Sequence, residues 1–131
     1  DFAMATPYPF EIKPGELTHI NTAAMWKALL NDLQMNLGRG LISAKFHITL
    51  AHIICRMALN IQQPTGIDTV ALSGGVFQNT NLLKMTRDLL SQHSFTILTH
   101  QRVPSNDGGL ALGQAVIAAA RYHHPVKDIS I

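Results

Sequence analysis

The sequence predicts an α/β fold with a parallel βαβ unit and several further helices, and three stretches carry that prediction. Asp68 to Leu72 is a short run of β-branched and aliphatic residues that stops abruptly at Ser73-Gly74-Gly75. Thr80 to Gln92 follows, with Leu82, Leu83, Met85, Leu89 and Leu90 spaced for one broad apolar helix face. Phe95 to Thr99 then reads as a second strand. Two strands separated by one helix imply parallel neighbours joined by a right-handed crossover.

The remaining elements follow in order. Pro7, Pro9 and Pro14 make the first fifteen residues a poor central strand and leave room for an edge strand at Phe10 to Lys13. The segment reads as a lead-in from something upstream. Asn21 is a good N-cap for a helix to about Leu37, with Met25, Trp26, Leu29, Leu30 and Leu33 on its apolar side. Gly38-Arg39-Gly40 is expected to stop it. A second helix is expected from Ile42 to Ile61, bearing Phe46, Leu50, Ile53, Ile54, Met57 and Ala58, with Pro64 and Gly66 in the loop beyond it. After the second strand, His100 to Asn106 loops to Asp107-Gly108-Gly109, which opens a last helix from Leu110 to about Tyr122. Its Ala111, Gly113, Ala115, Ala118 and Ala119 suit a close approach to the sheet, and His123-His124-Pro125 ends it.

Composition excludes several classes. The chain has 131 residues, enough for one domain with a real core, and a net charge of +2 with His neutral. Its basic residues are scattered singly, so no nucleic-acid partner is expected. Cys55, the one cysteine, precludes an internal disulfide and suits a reducing compartment. It follows Ile53 and Ile54 in a helical pattern, which favours a small buried hydrophobe over a reactive thiol. There is no signal peptide and no apolar run of the length that spans a bilayer, so the expectation is a cytoplasmic chain without a membrane partner.

The chemistry concentrates at the glycine turns. Gly74 and Gly75 permit a positive φ and expose backbone N–H groups at a strand–helix junction, an arrangement that holds anions. The turn lacks the Lys of a P-loop and the third glycine of a dinucleotide fingerprint, so a tight turn without a ligand is an equal reading. Both glycine turns leave the carboxyl ends of parallel strands, where open α/β sheets bind ligands, and should share one edge. Asp107 beside an anion site points to a metal ion or a ribose hydroxyl between them; capping the last helix is the competing role. Asn79 is likewise either a ligand contact or a helix cap. Ser73 has no His or Asp partner at close sequence range and no Gly-x-Ser-x-Gly elbow, which argues against a nucleophile. His47 and His52, five apart on one helix, face different ways and do not form a metal pair; His47, beside Phe46, is the one that points towards the site.

The run Leu72-Ser73-Gly74-Gly75-Val76-Phe77-Gln78-Asn79, then Arg102 through Asp107-Gly108-Gly109 to Gly113-Gln114-Ala115, resembles the C-terminal end of the hydrogenase maturation carbamoyltransferases of the HypF family. The stretch from Lys45-Phe46-His47 to Ala51-His52 matches too, and the likeness runs from about Gly40 to Arg121. The resemblance implies that residues 1–131 are the C-terminal segment of a carbamoyltransferase domain: part of the second lobe of an actin/Hsp70/sugar-kinase-like (RNase H-like) fold, its first lobe absent. The implied reaction uses carbamoyl phosphate and ATP to make carbamoyl-adenylate. The carbamoyl group then passes to the C-terminal cysteine of HypE, on the way to the cyanide ligand of NiFe hydrogenase. By the same resemblance Gly74, Gly75 and Asn79 fall on the nucleotide-contacting loop. Asp107 falls on the last ligand of a divalent metal, zinc or iron, whose His-x-x-x-His pair lies in the first lobe. The implied partners are HypE and the remaining HypF domains, and the chain alone is expected to be inactive and to self-associate. The alternatives are a non-catalytic lobe-packing or partner-docking module, and the ATP-binding lobe of a related kinase.

Overall fold

The computed structural model describes residues 5–15 and 17–123. The expected helix stop at His124-Pro125 and the start of the lead-in at Asp1 lie outside them. Strand β1 (Glu11–Lys13) confirms the edge strand, and it pairs antiparallel with a strand the sequence did not reveal, β2 (His19–Asn21), in the register Ile12↔Ile20. Helix α1 (Ala23–Gln34) follows at once. The Asn21 Oδ1 accepts the Ala23 N–H at 3.1 Å, so Asn21 does serve the helix start, one residue before the formal cap Thr22. The helix stops three residues earlier than expected, where Asn36 takes a left-handed φ of 53°. Met25 alone on α1 is buried; Trp26, Leu30 and Leu33 are exposed, although the Trp26 ring lies 6.0 Å from Phe46.

Helix α2 (Arg39–Thr65) is longer than expected at both ends. Gly40 is absorbed into the first turn rather than breaking it. Pro64 sits in the last turn, where the N–H it lacks would have gone to the carbonyl of exposed Asn60, a group that water can satisfy. Gly66, at φ 72°, ends the helix and donates its N–H to the Gln62 carbonyl at 2.7 Å. By length and hydropathy α2 could cross a bilayer, contrary to the expectation that no such run exists. One side of it, with Ala51, Ile53 and Cys55, is buried within the fold.

Strand β3 (Thr69–Leu72), helix α3 (Thr80–Gln92) and strand β4 (Thr96–Thr99) form the expected βαβ unit, with β3 and β4 parallel in the register Val70↔Ile97 and Leu72↔Thr99. The core forms on one face of this pair. Cys55, Leu72, Leu90 and Phe95 are buried together there, with Val70, Ile97, Phe77 and Leu83 packed against them. Burial raises the Cys55 thiol pKa, which fits the inert reading.

A second buried cluster fixes the lead-in to the helices. The Tyr8 N–H donates to Thr49 Oγ1 at 2.7 Å, the Tyr8 hydroxyl donates to Asp32 at 2.8 Å, and Lys45 pairs with Asp32 beneath the Tyr8 ring.

Helix α4 (Leu110–His123) departs from expectation. It is exposed along its whole length and does not lie on the sheet. The reason is geometric: α2 and α3 cover the face with Val70 and Leu72, while the opposite face, with Ala71 and Leu98, is left open by the described residues. A two-stranded sheet offers little for a second layer to bury.

Candidate functional site

Strands β3 and β4 end level with one another, so the residues that follow each, Ser73 and His100, meet. Ser73 Oγ lies 2.8 Å from His100 Nε2. The chain then turns at Gly74, whose φ of 101° and ψ of 159° belong to a region populated essentially by glycine. Its N–H donates to the Ser105 carbonyl at 2.8 Å, tying the first glycine turn to the loop of the second. Only Gly74 has a positive φ here. Gly75 instead starts a one-turn 3-10 helix to Gln78, and a Cβ on it would meet Asn106 Cβ at an ordinary 3.8 Å.

The second turn is set by Asn106. Its Oδ1 accepts the Gly108 N–H at 3.0 Å and its carbonyl accepts the Gly109 N–H at 3.1 Å. The capping role considered for Asp107 therefore belongs to its neighbour. Among the described residues the exposed Asp107 carboxylate has no hydrogen bond or ion pair, and Asp107 lines a cavity of about 690 Å³ together with Ser73, Gly74, His100 and the start of α4. The expectation that both turns share one sheet edge is met.

Asn79 lies at the back of the first turn, away from that cavity wall. Its Oδ1 accepts the Leu82 N–H at 3.1 Å and caps α3. Its amide nitrogen lies 2.8 Å from His47 Nε2, and His47 Nδ1 lies 2.7 Å from the Ser43 carbonyl. A carbonyl only accepts, so Nδ1 carries the proton and Nε2 accepts from Asn79. His47, expected to point to the site, meets Asn79 behind the turn and does not line the cavity. His52 faces elsewhere, half-buried beside Met85 and Asp88; burial, then the charge of Arg56, lowers its pKa.

A family model described as "Carbamoyltransferase, Kae1-like Domain, second subdomain" matches residues 2–114. The chain belongs to the HypF carbamoyltransferase family. Carbamoyltransferase HypF of Rhodobacter capsulatus is 44% identical over 80 residues, covering 61% of this chain and 11% of that protein. Carbamoyltransferase HypF2 of Cupriavidus necator is 34% identical over 119 residues, 91% of this chain and 14% of its own length. A crystal structure of full-length HypF in the phosphate- and nucleotide-bound form superposes with a TM-score of 0.85 at 35% identity, over 94% of this chain and 16% of that one. T. kodakarensis HypF, at 23% identity and a TM-score of 0.68, matches in fold. The chain thus spans a small part of each HypF it resembles.

In HypF terms, the geometry joins Gly74 and Asp107 at one cavity and leaves Gly75 and Asn79 behind it. Among the described residues no three His, Cys, Asp or Glu side chains gather as they would to hold a metal by themselves. His100 escaped the sequence reading because its partner Ser73 is 27 residues away. Strand register was the missing signal: each is the first residue past the end of its parallel strand. Ser73 thus does have a histidine partner, through space rather than along the chain. It still lacks the nucleophile elbow, so the argument against a nucleophile stands on that ground.

Proposed function

We propose that this chain forms the nucleotide- and metal-facing part of the second lobe in a HypF-type carbamoyltransferase of the cytoplasm. The observation that carries the reading is the Gly74 N–H bond to the Ser105 carbonyl. It holds the glycine turn and the Asp107 turn against one cavity at the strand ends. The likeness of most of this chain to a HypF crystallised in the phosphate- and nucleotide-bound form supports it. In this reading water cleaves carbamoyl phosphate to carbamate and inorganic phosphate, and a carbamate oxygen bonds the α-phosphorus of ATP as the bond to pyrophosphate breaks. The turn beginning at Gly74 holds the phosphate end of the resulting carbamoyl-adenylate. The thiol of the HypE C-terminal cysteine then forms a bond to the carbamoyl carbon as the carbon–oxygen bond to AMP breaks. Asp107 would give one ligand to a zinc or iron ion that, when bound, polarises the carbamoyl carbonyl. The other ligands would come from the remaining HypF domains. The second reading, a lobe-packing surface, draws on α4, whose Leu110, Val116 and Ile117 are 61%, 59% and 48% exposed.

The test is photolabelling with 8-azido-ATP in a full-length HypF carrying this segment, with labelled peptides mapped by mass spectrometry. Label is expected within residues 73–114 and is expected to fall about tenfold in Gly74→Val, where a branched side chain meets a glycine-only backbone. Equal labelling of a folded Gly74→Val protein would overturn the nucleotide reading and leave the packing role.

A further inference from the structure

We infer that His47 is a positioning residue for the nucleotide turn: it sets where the Gly74-to-Gln78 turn sits by holding Asn79 from helix α2. The inference rests on the nucleotide reading proposed above. The turn is tied at both ends. At the front, the Gly74 N–H bonds the Ser105 carbonyl at 2.8 Å. At the back, the turn runs into Asn79, whose own N–H bonds the Val76 carbonyl at 3.2 Å. Asn79 is in turn gripped through both arms of its side chain. Its carbonyl oxygen accepts the Leu82 N–H, and its amide donates to His47 Nε2 at 2.8 Å.

His47 is a firm anchor for this. Its Nδ1–H donates to the Ser43 carbonyl one helical turn back, which fixes both the ring and the tautomer that presents a lone pair to Asn79. The Phe46 ring meets the His47 ring at 6.2 Å in a T-shaped contact. The result is a chain of hydrogen bonds from the longest helix, through a histidine and an asparagine, to the first turn of α3. Neither neutral partner bears charge, so the link selects geometry rather than attracting the ligand. Asn79 thus acts on the site through the backbone it shapes, and His47 acts through Asn79.

Photolabelling by 8-azido-ATP in the full-length protein separates this role from simple stabilisation, because the half-saturating concentration and the labelling plateau report different things. A mispositioned turn raises the former, whereas a smaller folded fraction lowers only the plateau. His47→Ala is expected to raise half-saturation about fivefold at an unchanged plateau, and His47→Gln, which can still accept from Asn79, to return it to within about twofold. Asn79→Ser keeps an oxygen to cap α3 but is too short to reach His47, and is expected to behave as His47→Ala does. Combining His47→Ala with Asn79→Ser should then add nothing. A wild-type half-saturation in both single variants, a change confined to the plateau, or full additivity in the double variant would overturn the inference while Gly74→Val still loses label. If Gly74→Val keeps its label, the nucleotide reading fails and this inference falls with it.

Discussion

Gly74 carries a conformation that no residue with a Cβ adopts readily, and it does so in open space, with no atom within 4 Å of the place a Cβ would occupy. Strain there would come from the backbone, not from a clash. Gly74→Ala is therefore expected to destabilise by about 1–3 kcal/mol, while Gly75→Ala, at an ordinary φ with its nearest neighbour at 3.8 Å, should be neutral or slightly stabilising. Thermal melts of the two variants check the contrast, and equal losses would refute the assignment of the special backbone to Gly74. At this scale the double glycine was legible because Ser-Gly-Gly after an aliphatic run is strong punctuation. Which glycine bears the positive φ was not, since that depends on the Ser105 carbonyl met 31 residues later in the sequence. Asn79 shows the same limit: capping was legible from its place before Thr80, but the His47 contact arises only when α2 packs on α3.

Elements were read well where periodicity was long. The α3 helix has the boundaries the sequence predicts, and β3 and β4 differ by one residue at their starts. Strand β2 is three residues long and too short to show an alternating pattern, so the hairpin was missed. Gly40 and Pro64 misled at α2 because punctuation near a helix end often falls inside the terminal turn. The contact of the lead-in with α1 and α2 was also invisible, since it depends on Tyr8, Asp32 and Lys45 meeting. That cluster has a pH signature. Burial first, then the hydrogen bond to Asp32 and its charge, push the Tyr8 pKa from 10.0 up to about 12. The folded state then keeps a proton that the unfolded state gives up, so this contribution is complete below pH 10 and is lost as pH rises towards 12. Asp32 works at the other end: the bond from Lys45, then that from Tyr8, lower its pKa, so its contribution is present above 3.8 and is lost as pH falls through the lowered value. Melting temperature is expected to drop from pH 10 upward in the parent chain and to drop less in Tyr8→Phe. Parallel curves would show that Tyr8 does not couple folding to alkaline pH.

Among the described residues the molecule is open where a second layer would lie. The outer sheet face with Ala71 and Leu98 is uncovered, α4 stands free of it, and Leu112, Val116 and Ile117 are exposed along that helix. The small residues of α4 suggested close packing, but packing also requires a partner surface, which the two strands of this sheet do not provide. The same openness bears on the metal. Zinc-like sites take three or four protein ligands, and among the described residues no three His, Cys, Asp or Glu side chains gather around Asp107 or anywhere else. His47 does not help, because its Nδ1 proton goes to Ser43 and its Nε2 to Asn79. The chain alone is therefore expected to bind zinc only weakly and without fixed stoichiometry, and to transfer no carbamoyl group to a cysteine-ended HypE peptide. Its exposed apolar face should make it self-associate as concentration rises. Zinc titration, mass analysis of the peptide and sedimentation at several concentrations check all three. Stoichiometric tight zinc in a chain that remains monomeric would show that the site completes itself, and the reading of Asp107 as one contributor among several domains would be lost.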